Sequence, residues 1–161
     1  MRNQRHRTPA ALCGACVLAF VLLISGCGAR QDVDLARRVL VLLTEGRYSA
    51  RHLIDWEKFE ALQQAVGQRY LGIAAERDRL NFQRSFIDTF HSGFKTQGGD
   101  IKNLVNWRAV ETRKEPLRMT RVRADIKGTD AYFLFDIEHG KGGRKLVRMQ
   151  AMQVIRAEPR T

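Results

Sequence analysis

The chain has 161 residues, with 28 lysines and arginines against 17 aspartates and glutamates, so its formal net charge at pH 7 is +11. A chain of this length supports one hydrophobic core. All three cysteines fall within the first 27 residues, which excludes a disulfide-stapled scaffold for the rest of the protein.

The N-terminal segment has the pattern of an export signal. Arg2, Arg5 and Arg7 precede an unbroken apolar run over residues 15–24, and no acidic residue occurs before Asp32. A membrane-spanning helix needs about 20 apolar residues, whereas a shorter run between basic and small residues is typical of a secretory signal peptide. The sequence therefore predicts cleavage rather than a permanent membrane span.

The signal ends in the sequence ISGC at residues 24–27. This sequence resembles the lipobox of bacterial lipoproteins, in which a small residue precedes a cysteine that is lipidated before the signal is removed. The resemblance implies that residues 1–26 are a lipoprotein signal peptide, that Cys27 is the acylated N-terminus, and that residues 27–32 form a lipidated tether. An ordinary signal peptide, or an uncleaved anchor with a chance cysteine, is the alternative.

The residue after the lipobox bears on the destination of the protein. In the lipoprotein pattern an Asp at this position retains the protein at the inner membrane, and here the position is Gly28. The resemblance therefore implies a lipid-anchored protein of the bacterial cell envelope, carried to the outer membrane and facing the periplasm.

The first part of the predicted domain is helical. Apolar residues recur at intervals of three and four and predict helices over about residues 33–45, 56–66 and 75–95, with Gly46 ending the first. The third helix carries phenylalanine at every fourth position from 82 to 94, a stripe that is typical of a hydrophobic core. We expect two of these rings, Phe86 and Phe90, to be buried between the helix and the sheet.

After Asp100 the hydrophobic period changes from about 3.6 to about 2. Alternating segments predict four antiparallel strands, over about residues 102–113, 120–127, 132–138 and 144–156. Helices followed by a meander of strands predict an α+β fold, in which about three N-terminal helices pack on the concave face of one curved antiparallel sheet. A single domain is expected over residues 33–156, followed by a C-terminal tail over residues 157–161.

This order of elements resembles the nuclear-transport-factor-two-like, or cystatin-like, superfamily. The resemblance is carried by residues 84–91 of the long helix and by the hairpin segments 131–136 and 142–149. A weaker similarity is to the periplasmic phospholipid-binding component of retrograde lipid transport. The shared feature is an arrangement of helices and strands without an invariant motif, so it implies a fold more than a function.

Candidate catalytic groups are few. Enzymes of this superfamily build sites from Asp, His and Tyr, which here singles out Asp88 with His91 and the three tyrosines, Tyr48, Tyr70 and Tyr132. Asp88 and His91 are three residues apart on a helix and could touch, but they lie beside the phenylalanine stripe rather than within it. No spacing typical of a metal site or a nucleophile occurs after Cys27, so no catalytic residue, cofactor or metal is assigned.

The leading interpretation is therefore a non-catalytic, lipid-anchored envelope protein whose domain binds a partner protein or a hydrophobic ligand. The alternative is a carrier that holds a lipid-like ligand in a cavity between the third helix and the sheet; a third reading is a small enzyme that uses the interior of the cone. The residues expected to line such a cavity are Phe82, Phe86, Phe90, Phe94, Phe133 and Phe135.

The positive charge is concentrated towards the C-terminus. Residues 101–161 hold 14 basic and 7 acidic side chains, whereas residues 27–100 hold 11 and 10. An exported protein meets anionic lipid headgroups and envelope polymers rather than nucleic acid, so nucleic acid is disfavoured as a partner. Arg121, Arg123 and Lys127 are the candidates for contact with an anionic surface; a basic face that is merely solvated, without a dedicated partner, is the simpler alternative.

Overall fold

Helices come first along the chain and strands last, as the change of hydrophobic period predicts. The computed structural model describes residues 13–114 and 116–153, with side chains described from Gly28 onward. The elements are α1 (Cys13–Thr44), a 3-10 helix (Tyr48–Leu53), β1 (Glu60–Ala61), α2 (Val66–Leu71), α3 (Glu76–Thr96), a second 3-10 helix (Ile101–Asn103), β2 (Leu104–Arg113), β3 (Met119–Ile126), β4 (Ala131–Gly140) and β5 (Gly143–Gln153). The α+β class is confirmed.

The helix α1 supplies the centre of the core. Its residues Ala36, Val39, Leu40 and Leu43 are fully buried, at the spacing of one helix face. The helix ends at Thr44, and Gly46 follows just past the end as predicted. Its φ of +67° is in the left-handed region, which glycine adopts easily. The backbone N–H groups of residues 46 and 47 bond back to the last turn, which closes the helix in a Schellman motif. Its start differs from the prediction, because α1 begins at Cys13 rather than near residue 33.

The sheet has five strands in the order β1-β5-β4-β3-β2, and α1 packs across its inner face. All neighbouring strands are antiparallel except β1 and β5. Buried residues form rows across the strands on the inner face, for example Val122 beside Phe135 and Phe135 beside Met149. Period-two alternation over β3 and β4 therefore predicts the inward side chains correctly.

The predicted second helix over residues 56–66 is wrong. This segment instead docks on β5: the N–H of Asp55 donates to the carbonyl of Leu146, and the N–H of Leu62 donates to that of Met149. Pairing with β5 makes β1 the fifth strand, two residues long, which is too short to show an alternating pattern. Backbone contacts with a distant strand thus override the three-to-four spacing of its apolar residues.

The helix α3 runs from Glu76 to Thr96, close to the predicted 75–95. It packs against α1, and Ile87 is its most deeply buried core residue. A step of four residues turns a helix by about 400°, so the phenylalanine stripe drifts roughly 40° per step. Four such rings do not all face one core, and each is only partly buried. Phe86 and Phe90, expected to be buried between the helix and the sheet, pack against the core but are only partly buried.

Candidate functional site

An open groove lies between α3, the sheet and the segment around β1. Its volume is about 470 Å³, within the range of about 300 to 1,000 Å³ that is usual for small-molecule sites. Four of its lining residues are the phenylalanines of the α3 stripe. The lining residues are Ala61, Leu62, Gln64, Val66, Arg69, Phe82, Ser85, Phe86, Thr89, Phe90, Gly93, Phe94, Gln97, Phe133 and Ala151. We call this the aromatic groove.

The rings along α3 differ in how firmly they are held. Phe86 meets Trp56 and Phe59 edge to face, at centroid distances of 5.7 and 5.5 Å. Phe90 and Phe94 instead stack nearly parallel to their neighbours on the same helix, at 6.4 and 6.2 Å. Phe86 is thus held in the core by two edge-to-face contacts, whereas the ring contacts of Phe90 and Phe94 are with neighbouring rings of the stripe.

The residues predicted to line a cavity are mostly brought together. Phe82, Phe86, Phe90 and Phe94 form one wall, and Phe133 with Ala151 lies opposite. Phe135 is the exception, because it is fully buried and stacks on Trp107 at 5.4 Å between centroids. Phe133 and Phe135 point to the same face of β4 but meet different surroundings, a distinction that alternation along a strand does not encode.

Leu62 was missed by sequence reasoning and lies at the rim of the groove. Its φ of +49° is unusual for a residue with a branched side chain, and such conformations cost about 1 to 3 kcal/mol. The conformation is held by the hydrogen bond from its N–H to the carbonyl of Met149, and it leaves 43% of the residue exposed. No local pattern in the sequence indicates this position.

Within the part of the chain that the structure describes, Arg69 on α2 is the one charged residue that lines the groove. Its guanidinium carbon lies 5.6 Å from the centroid of the Phe82 ring, within the range of a cation–π interaction. The remaining polar lining groups, on Gln64, Ser85, Thr89 and Gln97, are uncharged. The groove therefore combines an apolar wall with a single cation.

Asp88 and His91 do not form a site in the groove, since neither lines it. The Nδ1 atom of His91 lies 2.6 Å from the carbonyl oxygen of Thr44, so this ring satisfies the last turn of α1, and it packs against Gly46. Asp88 is exposed on α3. The structure thus gives His91 a role in joining α1 to α3.

The three tyrosines also lie outside the lining of the groove. The hydroxyl of Tyr48 accepts a hydrogen bond from Arg51, that of Tyr70 accepts one from Gln83, and Tyr132 lies under Arg123. Over residues 13–114 and 116–153, His, Cys, Asp and Glu side chains form no group of three or more that could hold a metal ion.

The outer face of the sheet carries a row of alternating charges, one from each strand. In strand order from β2 to β1 they are Glu111, Arg121, Asp136, Arg148 and Glu60, each paired in register with the next. Asp136 at the centre is 2% exposed, and Arg121 donates two hydrogen bonds to it, of 2.7 and 3.0 Å. This bidentate contact raises the pKa of Arg121. Opposite charges at cross-strand positions favour this register over its alternatives.

The three candidates for contact with an anionic surface are therefore in different environments. Arg121 belongs to the charge row, and Arg123 donates to Asp125 at 2.6 Å and lies over the ring of Tyr132. Lys127 is exposed in the turn after β3, with no carboxylate partner among the described residues. Of the three, Lys127 is the charge most available to a partner.

Asp125 provides a test of these pairs through the pH dependence of stability. Hydrogen bonds from Arg108, and then from Arg123, lower its pKa from 3.8 to about 2. Because the pKa of Asp125 is lower in the folded state, its ionised carboxylate stabilises the fold above about pH 4. This stabilisation is lost as the pH falls towards 2. In urea unfolding experiments, the free energy of unfolding of the wild type should fall more between pH 4 and 2 than that of Asp125→Asn. Equal decreases in the two proteins would contradict these pairs.

The folded domain begins only a few residues after Cys27. The side chain of Cys27 itself lies outside the part that the structure describes. Asp32, the last residue of the predicted tether, is 1% exposed. One of its oxygens lies 3.0 Å from Nε2 of His139 and the other 2.8 Å from Nε of Arg144. These contacts tie α1 to the hairpin of β4 and β5, so residue 32 is part of the folded domain. The basic segment before residue 13, and residues 154–161 at the other end, lie outside the described residues.

No family model matches this chain, and neither a curated protein nor a solved structure shows significant similarity to it. Across the described part of the chain, none of the helices combines the length and apolar character that a membrane span requires. The likeness to the nuclear-transport-factor-two-like superfamily and to the lipobox therefore stays a prediction.

Proposed function

We propose that this protein is a lipid-anchored lipoprotein of the bacterial cell envelope whose α+β domain binds an apolar ligand in the aromatic groove. The observation that carries the proposal is the groove itself. A domain that used the α3 stripe only as core would enclose these rings, whereas here the rings of Phe90 and Phe94 line an open space. Exposed aromatic surface is unfavourable in water, and a bound ligand would remove it from water.

The shape of the groove favours a carrier of a small apolar ligand over a domain that binds a protein partner on a flat surface. A concave, mostly apolar site with a few polar groups is typical of a small-molecule pocket. A protein partner is the competing occupant, and its contact would be centred on exposed apolar residues outside the groove. Within the described chain these are scattered over several elements, for example Leu80 on α3 and Val110 on β2.

The anchor supports the same function by location. The basic N-terminal segment, the short apolar run and the ISGC sequence support acylation of Cys27. Residues 27–32 are helical and Asp32 is held inside the domain. Five helical residues span about 8 Å, compared with roughly 18 Å for a fully extended tether. An acylated Cys27 would therefore hold the domain at the bilayer surface, within reach of apolar molecules that leave the membrane.

Gly93 offers a test that separates ligand binding from folding. This residue lines the groove, and a Cβ atom added there would meet no atom within 4 Å. Gly93→Leu should fill the groove at little cost to the fold, because leucine favours a helix over glycine by about 1 kcal/mol. We expect the variant to keep wild-type thermal stability and to lose most saturable labelling by a photoreactive long-chain fatty acid.

Ser92→Leu is the matched control, since it adds the same side chain at the neighbouring, exposed position outside the lining of the groove. It should label like the wild type. Equal labelling of the wild type, Gly93→Leu and Ser92→Leu would place the ligand elsewhere and overturn the proposal.

A further inference from the structure

We propose that the ligand of the aromatic groove is an amphiphile with a single acyl chain and an anionic headgroup, a carboxylate or a phosphate, and that Arg69 binds the headgroup. This inference rests on the proposed binding of an apolar ligand and specifies its chemical class. It follows from the position of one cation, from the absence of a carboxylate partner for it among the described residues, and from the shape of the groove.

Among the residues that the structure describes, Arg69 alone brings a charge to the lining of the groove, and no Asp or Glu of these residues forms a salt bridge with it. Arginines of the outer sheet face are in the opposite situation: Arg121 and Arg148 each contact two carboxylates. A guanidinium presents several N–H donors in a planar fork that matches a carboxylate or a phosphate. Arg69 therefore retains the donors that an anionic headgroup requires.

The contact between Arg69 and Phe82 places this cation at one end of the groove. Its guanidinium lies over the Phe82 ring, the first ring of the stripe, while Phe94 lies three turns farther along α3. A cation held over an aromatic face has fewer orientations to lose when it binds an anion. The headgroup is thus expected near Phe82 and the chain along Phe86, Phe90 and Phe94.

The length of the groove suits an extended acyl chain. Residues 82 and 94 are separated by about 18 Å along the helix axis. The rings of the stripe form one apolar wall over this length in a groove of about 470 Å³, so a single extended hydrocarbon chain can lie along them.

The uncharged polar groups complete the assignment. The end of the groove near Gly93 is bordered by Gln97 and Thr89, which have no formal charge to attract an ionic group. A charged headgroup at that end would lose hydration without gaining an opposite charge. The two ends are therefore chemically different, and the ligand should bind in one orientation.

The test uses the full-length protein in phosphatidylcholine nanodiscs, with three photoreactive probes of equal chain length: a hexadecanoic acid, its methyl ester and a hexadecyl phosphate. Saturable labelling of α3 is quantified by peptide mass spectrometry. We expect the acid or the phosphate to label with an apparent affinity about tenfold higher than the ester, because a charge-assisted hydrogen bond is gained. The anion with the higher affinity identifies the headgroup.

Arg69→Gln should remove this preference, and Arg69→Lys should keep part of it. Arg77→Gln is the matched control, because it removes the same charge from an exposed residue of α3 outside the groove; it should keep the full preference. Circular dichroism melting checks that each variant folds, and the comparison of acid with ester in the wild type needs no variant.

The outcomes separate this inference from the function on which it rests. Equal affinity of the wild type for the ester and both anions would overturn the anionic headgroup while leaving an apolar ligand in place. Unchanged preference in Arg69→Gln would overturn the role of Arg69. Absence of saturable labelling of α3 by every probe would overturn the proposed function itself.

Discussion

Replacing Phe135 by alanine is expected to lower the free energy of unfolding by about 3 to 5 kcal/mol, the usual cost of removing a buried aromatic ring. Phe135 is fully buried at the centre of β4, between Val122 and Met149 in the neighbouring strands, and it stacks on Trp107. Domains of this kind have about 5 to 15 kcal/mol of stability in total. The variant should therefore melt far below the wild type or fail to fold.

Phe90→Ala is the matched comparison, because it removes the same ring from a partly exposed position in the groove. It should cost less stability than Phe135→Ala and reduce labelling by the acyl-chain probe. Urea unfolding followed by circular dichroism measures both. A larger loss of stability in Phe90→Ala would mean that the groove is closed in solution, contrary to its open form here.

The second large effect concerns the anchor. Cys27→Ala should abolish incorporation of radiolabelled palmitate and leave the signal uncleaved, because the cysteine sulfur is the atom to which the lipid is attached in the proposed lipoprotein. Cys16→Ala is the control, since it removes a cysteine from the segment that would be discarded and should leave labelling unchanged. Palmitate incorporation into Cys27→Ala at the wild-type level would end the lipoprotein proposal.

The acyl chains should also decide where the protein fractionates. Each buried CH₂ group contributes about 0.8 kcal/mol to membrane binding, whereas a basic residue near an anionic surface contributes about 1. The basic surface therefore adds only a small, salt-dependent contribution to the free energy of membrane binding. Lys127 is better suited than Arg121 to a charge-reversal experiment, because a carboxylate at residue 121 would face Asp136 and destabilise the sheet.

Hydrophobic periodicity in the sequence predicts those helices and strands that bury one face and expose the other. The α3 helix and the strands β2 to β5 follow from spacings of 3.6 and 2, and Gly46 marks the end of α1 through its left-handed φ. These features are local: each depends on residues within one or two turns of helix, or on alternate residues of a strand. They were sufficient to predict the α+β class and four of the five strands.

The same local signals failed where a distant partner decides the conformation. Residues 56–66 have helical spacing, yet hydrogen bonds from the N–H groups of Asp55 and Leu62 to carbonyls of β5 hold this backbone against the sheet. Position 67 requires glycine, because the Cβ atom of any other residue would lie 2.4 Å from the carbonyl oxygen of Glu57 and clash with it. No pattern within residues 56–66 indicates the pairing with β5, so their spacing alone predicts a helix.

Helical spacing is enough to identify the apolar stripe of α3, but the packing of the elements is what places this stripe beside an open groove. Spacing shows which side chains share a helix face, but it carries no distance between that face and the sheet. Here α1 occupies the inner face of the sheet, α3 packs against α1, and the space left beside Phe133 stays open. The location of Arg69 at one end of that space is likewise a consequence of packing between elements.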